Sequence, residues 1–291
     1  CRSRVFVIGA SGNVGKATIN ALARNYGEKL DIRAGVRNPV KVAEFTSLQG
    51  VTVVRAEMGK RDELIEIFKD VDVLFIVVAG SADRVELTRV TAEAAKEAGV
   101  KHILCLGAPV STYDTIFGKQ LHDIECIITD LCLHYTILRL PWFMENYFVC
   151  EESIKKSSVV YDAIDPIKRF PAICMNDVGL AAAIVMFSPE KHAGKKYLLV
   201  SNRHSYKDSV KAFSEALGKD VKYTQQSYEE AKVAWLQKGF PEWDVDGLIE
   251  YCKEVNAGRY EGENDHDFTY ITGKQPTSVA TWVQQNVSMF K

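Results

Sequence analysis

Three glycines at spacing three, Gly9, Gly12 and Gly15 in "GASGNVG", follow the apolar run "VFVI" and open the helix-period segment "GKATINALARNYG". Gly9 permits a tight turn, Gly12 lets the backbone approach a pyrophosphate, and Gly15 lets helix and strand pack closely, with the helix N-terminus facing the anion. The chemistry to expect of this loop is the binding of a dinucleotide. A glycine turn without a ligand is the plain alternative, and the strand before and helix after weigh against it.

At the end of the second apolar run, where an NAD-specific protein usually carries an acid for the ribose hydroxyls, "RAGVRNPVK" carries none. Arg37 stands there instead, with Lys41 one helical turn on. A cation at that place suits a 2′-phosphate, so the expected cofactor is NADP(H); the alternative is a pair of solvated surface cations. Glu57 and Met58, after the third run, are expected to border the adenine. Ala79 and Gly80, after the fourth, are small enough to lie against the cofactor, because ligands sit at the carboxyl ends of such strands.

The elements that must position these residues recur along the chain. Short runs rich in β-branched residues at 5–9, 31–36, 51–56, 71–79, 101–108, 135–140 and 196–201 read as strands. Several are apolar throughout, as in a parallel sheet covered on both faces. Helix-period segments at 15–27, 61–70, 86–99 and 121–131 lie between them, most closing on Gly or a polar residue. The alternation implies α/β architecture: a doubly wound parallel sheet with a smaller, mostly helical C-terminal lobe. The expected division is a binding domain over 1–140, with 176–201 returning to its sheet, and a lobe built from 141–175 and 202–291.

The 291 residues allow one large domain or two smaller ones; 47% are hydrophobic and 25% charged, and the net charge is −2. Without a basic excess, nucleic acid is not an expected partner. Seven cysteines, an odd number with no C-x-x-C pair and several inside apolar runs, read as reduced thiols of a cytoplasmic protein. No stretch approaches eighteen uninterrupted apolar residues, and the first strand starts too early to leave room for a signal peptide, so no membrane association is expected. No H-x-x-x-H or H-E-x-x-H pattern, G-x-S-x-G elbow or Walker loop occurs, which argues against a metal site, a hydrolase and a nucleotide triphosphatase.

Five segments together resemble the NmrA-like family of atypical short-chain dehydrogenases: "GASGNVG", "VRNP", "YTILRLPWFMEN", "NDVGLAAAIVMFSPEKHAGKKYLLVS" and "ITGKQPTSVATWVQQNVSMF". The resemblance spans nearly the whole chain, and "RLPWFMEN" and "TGKQPTS" are its most specific parts. It implies a Rossmann domain, a small C-terminal lobe and a cofactor cleft between them. The implied cofactor contacts are Gly9, Ala10, Ser11, Gly12, Asn13 and Val14 in the loop; Arg37, Glu57 and Met58; Ala79, Gly80 and Ser81; Lys119; and Phe143, Met144, Glu145 and Asn146. Lys119 matches a lysine that bonds the nicotinamide ribose in related reductases. Trp142 and Phe143 are expected to wall the nicotinamide and substrate pocket, with core packing the alternative for Trp142.

Ordinary short-chain dehydrogenases donate a proton from the Tyr of Tyr-x-x-x-Lys. At the expected place this chain has Phe117 four residues beyond Tyr113. Tyr228 with Lys232 and Tyr270 with Lys274 have the spacing but fall in the C-terminal region, and they are given no catalytic weight. A quinone or similar acceptor can take hydride with a proton from water or a nearby group, and His122 and Tyr113 are the nearest candidates. Two functions follow. The favoured one is an NADPH-dependent oxidoreductase acting on a small electrophile such as a quinone; the other is a non-catalytic NADP(H) sensor acting through a regulatory protein partner.

Overall fold

The computed structural model describes residues 2–291 apart from 113, 132, 133, 261, 263 and 264, and gives the backbone alone at Ser111 and Thr112. Seven strands, all parallel, make the main sheet: β1 (Ser3–Ile8), β2 (Leu30–Val36), β3 (Val51–Arg55), β4 (Val73–Ile76), β5 (His102–Gly107), β6 (Tyr135–Arg139) and, late in the chain, β10 (Lys195–Leu198). Their order is β10-β6-β5-β4-β1-β2-β3. The chain therefore reverses direction across the sheet between β1 and β4, which opens a crevice at the carboxyl ends of those two strands.

The central strands are apolar at consecutive positions because both faces are covered: Val5, Phe6 and Val7 have no exposed area. On one face lie α1 (Asn13–Tyr26) and α6 (Met175–Phe187). On the other lie α2 (Arg61–Ile67), α3 (Arg84–Glu97) and α4 (Ile116–Leu131). Helix α6 crosses α1 at Gly179, where a Cβ would stand 2.5 Å from the Ala17 carbonyl oxygen. No helix is long and apolar enough to cross a membrane among the described residues.

A third core forms beside the sheet. Short strands β7 (Trp142–Phe143), β9 (Phe170–Ile173) and β11 (Asn202–His204) make one small sheet; β8 (Val159–Asp162) and β12 (Lys222–Gln225) make another. Around them pack α5 (Glu151–Ser157), α7 (Tyr206–Leu217), α8 (Tyr228–Gln237), α9 (Glu242–Asn256) and α11 (Val279–Asn286). This region holds more strand than its sequence suggests, since strands of two to four residues are too short to show a period. Helix α10 (Asp267–Thr272) departs from the expected division at 202–291. Its Phe268 and Ile271 join the core of the main sheet, and Asp267 accepts the Leu198 N–H of β10 at 2.8 Å.

Candidate functional site

The crevice between β1 and β4 continues into a cleft of about 830 Å³ along the carboxyl edge of the sheet. Gly9, Val36, Glu57, Val77, Gly107 and Leu140, each at or just beyond the end of a strand from β1 to β6, all line it.

The three glycines have different physical reasons. Gly9 has φ +82, and a Cβ there would drive into the Val77 carbonyl oxygen of the neighbouring strand. Gly15 lies against Gly9 and Ala10, so that any Cβ would enter the loop backbone and push α1 off the sheet. At Gly12 the protein leaves room, the nearest atom to a Cβ being the Gly9 carbonyl oxygen at 3.5 Å. The restriction at Gly12 is therefore set by what occupies the cleft. Helix α1 begins there with no side-chain cap and no acid in its first turn. Its first N–H groups and the positive end of its dipole meet the cleft unneutralised, an arrangement suited to a phosphate.

Exposed Arg37 lies at one end of the cleft beside Glu57 and Met58. Ser11, Gly12, Asn13 and Val14 hold the middle, with Ala79, Gly80 and Ser81 in the loop after β4. Leu106, Leu121, Leu140 and Phe143 make an apolar wall towards the third core. Beneath Gly107 lies Glu125, 3% exposed, which accepts two bonds from Arg139 at 2.8 and 2.7 Å and one from Lys196 at 2.9 Å. Burial pushes its carboxyl up, but the Arg139 and Lys196 bonds outweigh that and hold it below the usual range.

Several residues expected at the site lie outside the lining. Ala10 is fully buried and Gly15 is buried by the packing just described. Lys41 is exposed beyond the Arg37 rim. Lys119 points to solvent and pairs with Asp114 at 2.9 Å. His122 is also exposed, 3.5 Å from the Cys126 thiol one helical turn on. Tyr113 lies outside the described residues. Trp142 turns from the cleft into the third core, edge-on to Tyr147 at 4.8 Å and Phe170 at 5.5 Å. Met144 is fully buried in that core and Asn146 is exposed. Neither spaced Tyr/Lys pair lines the cleft; Lys232 bonds Asp246 at 2.6 Å and Tyr270 is exposed.

Glu145 has a structural role that joins the most specific sequence segments. Its Oε1 accepts the Met175 N–H at 3.0 Å and the Trp282 indole N–H at 3.1 Å. Burial raises its carboxyl pKa, although both bonds oppose the shift. Close by, buried Asp177 accepts the Ser201 hydroxyl at 2.5 Å, the Thr277 N–H at 2.8 Å and the Thr277 hydroxyl at 3.0 Å. "WFMEN", "MNDVG" and "QPTSVATW" therefore meet in one joint, which ties the end of the chain to the start of α6.

The sequence reading passed over Leu121, Leu140, Gly107 and Ala108, although the strand-end rule that indicated Ala79 reaches the last three. It also passed over Arg84, which lines the cleft at the start of α3. The Arg84 guanidinium lies over the Phe117 ring, 5.4 Å from its centre. Burial lowers its pKa to about 10, partly offset by Asp244 of α9, and it stays cationic at neutral pH. Among the other arginines, nothing local in sequence marks it.

The glycine loop at the switch point, the Arg37 rim and the side lobe define a dinucleotide-binding protein of the short-chain dehydrogenase type. The chain belongs to the NmrA-like family, whose model matches residues 2–271. It is similar to quinone oxidoreductase 2 of Escherichia coli, 26% identical over 95% of this chain and 96% of that one. It is 25% identical to the NAD(P)H azoreductase of Xenophilus azovorans over 98% and 99% of the two chains. The solved structure of the E. coli NADPH-dependent quinone oxidoreductase with NADPH superposes with a TM-score of 0.86 at 25% identity, covering 97% of this chain and 99% of that one.

Proposed function

We propose that this protein is an NADPH-dependent reductase that passes hydride to a small electrophile such as a quinone. The observation that carries the reading is the uncapped N-terminus of α1 behind the glycine loop. It opens into a cleft with an arginine at one end and an apolar wall at the other. The residues fit an NADP(H) molecule: the loop from Gly9 to Val14 and the helix end would hold the pyrophosphate, Arg37 the 2′-phosphate, and Ala79 and Gly80 the middle of the cofactor. The names of the similar proteins, a quinone oxidoreductase and an NAD(P)H azoreductase, support the same class.

Reduction of a quinone takes one hydride, which the bound cofactor supplies, and one proton, and leaves a hydroquinone and NADP⁺. The cleft of this chain contributes position and exclusion of water: Leu121, Leu140 and Phe143 give a flat acceptor an apolar face to lie on. The nearby acid, Glu125, is held ionised by Arg139 and Lys196 and so is not the proton donor. The test is NADPH oxidation against a panel of quinones, azo compounds, enones and aldehydes. Turnover of at least one acceptor well above background, with NADH much poorer, is expected. Tight NADPH binding without turnover of any acceptor would replace this reading with the sensor acting through a protein partner.

A further inference from the structure

One corner of the cleft holds buried polar atoms without partners. Arg84 Nε and Nη2 and the Ser81 hydroxyl are shielded from solvent and have no hydrogen-bond partner among the described residues. Gln120 Oε1, on the facing helix α4, is in the same condition, and its amide N–H reaches only the Ala82 carbonyl at a long 3.5 Å. Ser81 and Arg84 belong to one turn, the Arg84 N–H meeting the Ser81 carbonyl at 3.3 Å. Buried polar groups in native proteins are nearly always satisfied, and the unpartnered donors of Ser81 and Arg84, both of which line the cleft, point to a ligand that completes them.

We propose that Arg84 and Ser81 form an oxyanion-binding subsite for the electron acceptor, selecting acceptors that carry an acidic group. The donors are an arginine fork and a hydroxyl, the set that matches carboxylate or sulfonate oxygens. The direction of the side chain separates this subsite from the cofactor's phosphates. The Arg84 side chain turns towards Phe117 at the start of α4, on the side of the third core, and Phe117 meets Trp243 of α9 edge-on at 6.1 Å. Gly247 of α9 leaves room for the Phe117 ring, which a Cβ there would meet at 2.5 Å. The guanidinium is thus held by its stack on Phe117, against the wall that includes Leu121, while the helix end at Gly12 serves the pyrophosphate. Asp244 adds charge compensation from α9 without forming a direct ion pair among the described residues.

The inference rests on the reductase reading for the identity of its ligand, and binding tests it without turnover. Calorimetric titration of the NADP⁺-loaded protein with a naphthoquinone sulfonate and with the parent naphthoquinone should show the sulfonate binding roughly tenfold or more tightly. Arg84→Gln should erase that preference, Arg84→Lys should keep part of it, and the Kd for NADPH should move by less than about threefold in both. Equal affinity of the wild type for the two probes overturns the subsite. So does a loss of NADPH affinity of about tenfold in Arg84→Gln with both quinones weakened alike, which would make Arg84 a cofactor contact. A sulfonate preference that disappears in Arg84→Gln, in a protein that reduces nothing, would keep the subsite and remove the reductase.

Discussion

The cleft and the Glu145–Asp177 joint lie only a few residues apart in sequence at Phe143 and Glu145, yet they differ in how far their polar groups are matched. In the joint, Asp177 has three donors on its two oxygens, and Glu145 has two on Oε1, with Oε2 buried and unpartnered among the described residues. In the cleft, α1 starts uncapped, and Arg84 Nε and Nη2 and the Ser81 hydroxyl are shielded without partners among the described residues. A region whose polar groups are mostly matched internally holds a shape. One that leaves them unmatched stores binding capacity for a ligand, at a cost to the empty protein. The lesson concerns the motifs too: "WFMEN" and "QPTS", the most distinctive segments, serve mainly the closed region, whereas the widespread glycine pattern serves the open one.

The sharpest way to break this comparison is within the glycine loop, where two positions three residues apart should behave differently. Gly15→Val forces a side chain into the backbone of Gly9 and Ala10 and should cost about 3 kcal/mol or more, seen as a large drop in melting temperature or as loss of soluble protein. Gly12→Val sets its Cβ at ordinary contact distance from the Gly9 carbonyl oxygen, so its melting temperature should stay within a few degrees of wild type while NADPH affinity falls by about a hundredfold or more. If Gly12→Val still binds NADPH normally, the cleft holds something else.

Arg37→Ala probes the open region by charge alone. It should weaken NADPH by roughly ten- to a hundredfold, the value of a charge-assisted bond of about 1.5–3 kcal/mol, and leave NADH almost unchanged. Equal effects on the two cofactors in titration would remove Arg37 from the 2′-phosphate.

The third core, which the joint completes, carries an acid-sensitive member. His204 is fully buried, accepts or donates at Tyr147 Oη over 2.8 Å, and burial lowers its pKa to about 4. Its unfolded value is near 6.5, so the unfolded chain binds the extra proton first. Its contribution is fully present above about pH 6.5 and is lost as the pH falls towards 4. Lowering the pH from 7 to 5 should therefore cost about 2 kcal/mol through this group, read as a shift of the urea midpoint, and His204→Gln should flatten that slope. An unchanged slope in the variant would assign the acid sensitivity elsewhere. The smallest effect expected is that of Thr277→Val, which removes the hydroxyl bond to Asp177 but keeps the backbone bond. It should lose about 1 kcal/mol of stability with no change in NADPH affinity.

The doubly wound sheet, the glycine loop and the cation in place of an acid at Arg37 were legible in the sequence, because each depends on residues close together in the chain: an apolar run, a turn, a helix start. The parallel sense of the sheet followed from the alternation of those elements, while the order of its strands came from the structure. Side-chain direction in the irregular crossing at 141–150 was not legible, since no period governs it. Trp142 and Phe143 are adjacent, and only the pairing of β7 with β9 decides that Phe143 lines the cleft while Trp142 packs into the third core. Arg84 makes the same point over a longer range. Its place in the cleft depends on Phe117, thirty-three residues on, and Asp244, one hundred and sixty residues on. Local sequence indicated the loop proposed to hold a dinucleotide, because that place is made by a backbone turn and a helix end. Which side chains face it was decided by tertiary packing, because only long-range contacts select which of two neighbouring side chains is buried and which is left facing the cleft.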